Sequence, residues 1–286
     1  MTSRALVMGG GGTLGVAWET GLLAGLATEG ATLGNADLIL GTSAGSIVGS
    51  TIARGVSPHM MAEMQTAAAR QAAGAQASGP APDLSKVMAF FMRMPETGEP
   101  PVELRREIGE VSRTSQTIPE AAMLAQFATM GISGVWPKKF ACTAVDATSG
   151  EFKVWREADG VDFARAIASS CSVPGIFPAI TINDRLWMDG GMRSGTNVDM
   201  AAGHERVLAV VVIPMAMADA RMKARVNAEG EAVVKAGGRY DLISPDAETQ
   251  EAFGPNLMDG TRRVQLIEQG MRQGKAEAAR VKAFWG

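Results

Sequence analysis

Between Arg4 and Ala53, a short apolar run twice stops at glycine and gives way to a helix-forming stretch. The first run, Arg4 to Met8, enters the glycine-rich loop Gly9 to Gly15. From Val16 onward Trp18, Leu22 and Leu26 recur at four-residue spacing until Gly30. The second run, Leu38 to Leu40, enters Gly41-Thr42-Ser43-Ala44-Gly45, and Ile47, Val48 and Ile52 then face inward on a second helix. Strand, loop, helix, strand, turn, helix is the opening of a parallel, doubly wound sheet. With 286 residues, 46% of them hydrophobic, the chain can bury the core such a sheet needs.

Further on the pattern changes. Residues 57–135 predict helices carrying Met60, Met61, Met64, Met88, Phe90, Phe91, Met92 and Met94, separated by breaker-rich stretches at 74–82 and 95–101. This segment reads as a helical insertion within one domain spanning 1–286. Strand signals return at Phe140 to Val145 and Phe152 to Trp155, joined by a turn ending in Gly150, and at Ile180 to Ile182 and Leu186 to Met188, joined by Asn183-Asp184-Arg185. Each pair predicts a hairpin. Phe163 to Ser169 predicts a helix, Val207 to Ile213 a buried strand, 219–238 a loose stretch, and 261–285 a final amphipathic helix.

A net charge of -3 leaves no basic field for nucleic acid, which removes that partner. Two cysteines, Cys142 and Cys171, make no disulfide framework and are read as small buried hydrophobes. With only two histidines, His59 and His204, and no CxxC spacing, no metal site and no cofactor are expected. The apolar run at the N-terminus is too short for a signal peptide, and no stretch reaches the ~20 apolar residues that span a bilayer. The expectation is a cytoplasmic protein, with peripheral membrane contact left open. The 18 methionines bear on that contact: in the helical segment they are read as core packing or as an adaptable apolar cover that admits an acyl chain.

Gly41-Thr42-Ser43-Ala44-Gly45 fits G-x-S-x-G at a predicted strand-to-helix turn, the context in which that motif exposes a serine nucleophile. The loop Gly10-Gly11-Gly12-Thr13-Leu14-Gly15 satisfies G-x-G-x-x-G and has three readings. As a dinucleotide loop it needs an acid at the end of the second strand, where Gly41 and Thr42 stand instead. As an oxyanion hole it offers consecutive backbone N–H groups beside the Ser43 turn. It can also be a purely structural loop. For the base, the order Ser43, Asp189, His204 mimics a triad, but His204 precedes a strand and so falls at the wrong edge of the sheet. Asp189, in Leu186-Trp187-Met188-Asp189-Gly190-Gly191, ends a short apolar strand on a tight turn and is the better partner. A dry site would raise its pKa from about 3.9 toward a useful range.

These pieces resemble the patatin-like phospholipase family. The glycine loop 10–15, the elbow Gly41 to Gly45 and Asp189-Gly190-Gly191 occur in that family's order, as does the small-residue segment Ala168 to Pro178 with its Pro-Gly-Ile-Phe-Pro ending; Val145 to Gly150 resembles a hairpin of bacterial members. The resemblance implies a three-layer α/β/α fold around a mostly parallel sheet. It implies a Ser43–Asp189 dyad without histidine, N–H groups of Gly10, Gly11 and Gly12 holding the oxyanion, and Gly15, Gly41, Gly45, Gly190 and Gly191 as motif glycines. It implies hydrolysis of a lipid or other acyl ester. One departure stands out: Leu14 occupies a place where members often carry Arg or Lys, which opens the substrate range beyond phospholipids. Against a hydrolase stand a nucleotide-binding protein using loop 10–15 and a silent scaffold. The ester and the oligomeric state are not legible.

Overall fold

A computed structural model describes residues 2–72, 85–213 and 220–286. The expected breaker-rich stretch 74–82 lies outside them. In chain order the elements are β1 Arg4–Met8, α1 Gly12–Thr28, β2 Leu38–Gly41, α2 Ala44–Ala53, α3 Pro58–Ala72, α4 Ser85–Arg93, α5 Val102–Thr114, α6 Glu120–Thr129, β3 Phe140–Asp146, β4 Phe152–Arg156, α7 Phe163–Ser170, β5 Ile180–Ile182, β6 Arg185–Asp189, β7 Arg206–Val210, α8 Ala220–Lys235, β8 Arg239–Ile243, α9 Ala247–Phe253 and α10 Arg263–Trp285.

Eight strands form one sheet in the order β5-β6-β3-β2-β1-β7-β8, with β4 also on β3. The run β3-β2-β1-β7-β8 is parallel, and β4 and β6 are antiparallel to β3. Alternate side chains of each strand serve opposite faces. Leu6, Met8, Ile39, Leu208 and Val210 join a core with α1, α2, α7 and α10, whereas Ala5, Val7, Leu38, Leu40 and Ala209 join one with Val226 and Val233 of α8. On that second side, further along β3, Val145 and Ala147 pack with Val87 and Phe90 of α4 and Leu104 and Ile108 of α5. Helices on both faces of a mostly parallel sheet make the expected three-layer α/β/α fold.

The register around β3 places the ends of β2 and β6. β2 pairs with its first half, Gly41 opposite Cys142, and β6 with its second, Asp189 opposite Ala144. Backbone direction alternates along a strand. Lys139 C=O accepts from β2 and Ala147 N–H donates to β6, while Asp146 N–H donates to Glu151 on the β4 side. Lys139 and Ala147 share parity and Asp146 does not, so β2 and β6 lie along the same edge of β3. They run toward each other, and their C-terminal ends stop two β3 residues apart, about 7 Å.

Several boundaries differ from expectation. α1 begins at Gly12, so the end of the glycine loop is its first turn. The stretch read as loose holds helix α8, because Val226 and Val233 are buried against the sheet and Gly230 lets the helix approach the Tyr240 ring, 2.2 Å from where a Cβ would stand. β7 ends at Val210 rather than Ile213, and β8 and α9 had no signal that was read. Both expected hairpins form, and Asn183 and Asp184 both take positive φ in the second.

Candidate active site

Ser43 stands at the turn between β2 and α2 with φ 52° and ψ -117°, a region that non-glycine residues avoid. The neighbours hold it there. A Cβ on Gly45 would lie 2.1 Å from the Met8 carbonyl oxygen, and one on Gly41 2.4 Å from Ser46 Cα. Both glycines of G-x-S-x-G are thus demanded by backbone contact, and the side chain between them projects from the strand end, half-buried. A brace comes from the C-terminal end of α7: Ser43 N–H donates to Ser170 Oγ at 3.1 Å, and Cys171 Sγ donates to the Ser43 carbonyl at 3.3 Å. The same segment holds the other end of the site, since Ser172 C=O accepts Asp189 N–H at 3.0 Å.

Asp189 closes β6 and is almost fully buried. Its Oδ1 accepts the Gly191 N–H at 2.7 Å, while Oδ2 is buried and has no hydrogen-bond partner among the described residues. Burial pushes the carboxyl up to about 7, against the opposing effects of the Gly191 N–H and the Ser43 hydroxyl. The hydroxyl thus acts on the carboxyl, although no formed hydrogen bond joins the two. The Cys171 thiol beneath is raised by its own burial and then by Asp189. It is kept neutral and packs as the small hydrophobe expected, as does the buried Cys142.

The glycine loop follows β1 and adjoins the elbow: a Cβ on Gly10 would lie 3.4 Å from Ser43 Cβ, and one on Gly15 3.3 Å from Ala44 Cβ. Gly10 departs from its expected role, because its N–H is already donated to Gly195 C=O at 2.8 Å. The N–H groups of Gly11 and Gly12 donate to no acceptor among the described residues, and neither does that of Ala44, which the sequence reading passed over. Gly12 needs its φ of 60°. Leu14 is fully buried, so this position offers no charge to a phosphate. Gly190 is demanded by close approach to β3, with Thr143 Oγ1 only 2.0 Å from where its Cβ would be; Gly191 supplies the N–H that holds Asp189.

Neither histidine joins the site. His204 lies before β7, at the far end of a parallel strand, with Nδ1 at 2.9 Å from Ala201 C=O. His59 is bound to Thr28 at the far end of α1, Nε2 to Oγ1 2.9 Å. Among the described residues no group of three or more His, Cys, Asp or Glu side chains is placed to hold a metal ion, and no helix is long and apolar enough to cross a membrane. In the methionine-rich helices Met61 and Met94 are buried, whereas Met60, Met64, Met88 and Met92 are exposed.

The sequence reading missed a buried polar cluster behind the two turns: Thr42, Thr143, Arg193 and Asn197. Thr42 lies inside the serine motif and Arg193 and Asn197 follow Asp189-Gly190-Gly191, but nothing local to Thr143 marks it.

The family model for patatin-like phospholipases matches residues 6–202 of the chain. No curated protein matches it significantly. Among solved structures, VipD from Legionella pneumophila is 12% identical with a TM-score of 0.49, the match covering 99% of this chain and 67% of that one. ExoU from the type III secretion system of Pseudomonas aeruginosa, solved in complex with SpcU, is 17% identical with a TM-score of 0.46, covering 100% of this chain and 52% of that one. The chain thus spans about two thirds of VipD and half of ExoU.

Proposed function

The chain belongs to the patatin-like phospholipase family, and on that footing we propose that it is a serine acyl hydrolase of lipid esters, with Ser43 as nucleophile and Asp189 as general base. Family membership supports lipid hydrolysis in general. The observation that carries the dyad is a buried carboxylate with an unpartnered oxygen next to a serine held at a strained turn.

A carboxylate at its ordinary value near 3.9 is too weak a base for a hydroxyl. Raised to about 7, Asp189 is half ionised at neutral pH and accepts a proton far more readily. Ser43 Oγ attacks the ester carbonyl carbon as its proton passes to Asp189 Oδ2. The N–H groups of Gly11 and Gly12 stabilise the oxyanion, aided by the positive end of the α1 dipole and by Ala44 N–H. Collapse of the intermediate breaks the ester C–O bond, and Asp189 returns its proton to the leaving alcohol. Water, deprotonated by the same carboxylate, then releases the acid from Ser43. The buried Leu14 favours acyl esters in general over a phosphate-dependent substrate, and exposed Met88 and Met92 on α4 supply an apolar surface for the acyl chain.

A fluorophosphonate probe should label the wild type and fail on Ser43→Ala, while His204→Ala keeps labelling and turnover. In a series of p-nitrophenyl esters of rising chain length, the double variant Met88→Ser, Met92→Ser should lose activity chiefly on the long esters. Labelling that survives Ser43→Ala removes the nucleophile assignment, and a large loss in His204→Ala restores a triad. Equal loss on short and long esters removes the acyl-chain role of α4.

A further inference from the structure

Resting on the Ser43–Asp189 reading, we propose that Thr143 and Asn197 are positioning residues that hold the serine turn against the aspartate turn through a buried hydrogen-bond chain anchored on Arg193. Neither residue belongs to either turn, and neither touches the reacting atoms.

The geometry begins at the gap on β3. β2 ends opposite Cys142 and β6 opposite Ala144, which leaves Thr143 between them. Its Oγ1 lies 2.8 Å from the hydroxyl of Thr42, the residue before Ser43. The backbone of Gly190, the residue after Asp189, is pressed directly on the same side chain. Thr143 therefore contacts one neighbour of each catalytic residue.

Asn197 locks this pair. It is fully buried and takes the left-handed conformation, φ 53°, that asparagine tolerates better than most residues. Its Nδ2 donates to Ser194 C=O at 2.6 Å and to Thr42 Oγ1 at 3.0 Å, with Thr143 Oγ1 at 3.4 Å. Its Oδ1 accepts from Arg193 Nη1 at 2.9 Å. The buried Arg193 is fixed in turn by Asp199 and Glu99, at 2.9 Å each, and lies over the Phe152 ring. From α8, Glu229 accepts the Val198 N–H at 2.8 Å and the Thr196 hydroxyl, so both neighbours of Asn197 are held. A buried network with its donors and acceptors paired rigidifies the residues it joins. Here those residues are the two turns that must meet, and errors of an ångström between reacting groups cost large factors in rate.

The groups facing the Asp189 carboxylate are the Ser43 hydroxyl, the Gly191 N–H and the neutral Cys171 thiol. The hydroxyl lowers the carboxyl's value, so a variant that lets the turns part should raise it. The experiment is carbon-13 NMR titration of Asp189, assigned with Asp189→Asn, in wild type, Thr143→Val, Asn197→Gly and the conservative Thr143→Ser. Thr143→Val removes the central hydroxyl. Asn197→Gly keeps the positive-φ backbone and removes the donor to Thr42 without adding a charge near Asp189. Both should move the midpoint upward by about half a pH unit or more and slow fluorophosphonate labelling about tenfold, with melting temperature and circular dichroism showing a folded protein. Thr143→Ser should restore the wild-type midpoint. An unmoved midpoint in the folded variants overturns the proposal, and so does a Thr143→Ser shift equal to that of valine, which would make packing the cause. Since the titration needs no turnover, a wild type that is never labelled overturns the hydrolase reading without deciding this one.

Discussion

At Asp189 the burial that raises the carboxyl, and would make it a usable base on the proposed reading, also opposes folding. The unfolded carboxyl titrates near 3.9 and the folded one at about 7. Between those values the folded state holds a proton that the unfolded state has released, so stability falls as pH rises from about 4 to 7. Asp189→Asn escapes this cost. It should abolish turnover yet melt higher than wild type, by roughly 2–4 kcal/mol or on the order of 5 °C at pH 8, with little difference at pH 4. Melting curves at the two pH values check this, and a variant less stable than wild type at pH 8 refutes it. On the proposed Ser43–Asp189 reading the rate should rise with pH through about 7, because the carboxylate would have to be ionised to act as base.

At the scale of elements, α1 and α10 are joined backbone to backbone. A Cβ on Gly25 would stand 2.3 Å from Met271 C=O, and one on Gly274 2.2 Å from Leu22 C=O; Gly21 and Gly270 are equally tight. On an isolated helix Gly→Ala stabilises by about 1 kcal/mol. Here the sign should reverse, and Gly25→Ala or Gly274→Ala should cost about 2–4 kcal/mol by chemical denaturation. A stabilised variant would deny the contact. The helices themselves were legible from apolar spacing, but this contact was not, because it joins residues about 250 positions apart and the sequence shows only small residues four apart. α8 was missed for the related reason that its two buried valines gain meaning only from sheet residues distant in the chain, such as Ala5, Val7 and Leu40. Ser43 and Asp189, by contrast, each announce themselves within five residues by the glycines beside them, even though Gly45 and Gly190 answer contacts with Met8 and Thr143 from other strands. Thr143 and Asn197 carry no such mark; their roles come from register.

Across the whole molecule, the carboxyls moved from their ordinary range fall into two groups with opposite pH responses. Asp146 and Asp246 hold their values low through backbone N–H groups and the guanidinium partners Arg185 and Arg272, although burial works against both. They stabilise the fold above the unfolded value, and that stability is lost in acid. Glu19 on α1 belongs with Asp189: it is fully buried, neither oxygen has a partner among the described residues, and burial raises it well above the usual range. Its folded value exceeds the unfolded one, so stability drains away as pH climbs from about 4.3. Glu19→Met should therefore raise the melting temperature, more at pH 8 than at pH 5; an advantage that shrinks with pH would contradict this.

Because two strands meet end to end along β3, the spacing of the Ser43 hydroxyl and the Asp189 carboxylate is gauged by a strand that, on the proposed reading, contributes no reacting atom. Surface loops can lengthen, and the lining of a substrate groove can drift, without disturbing that gauge. One residue inserted into the middle of β3 would do what no change in the loops does: it would turn the following side chains to the opposite face and carry the acid away from the alcohol it serves.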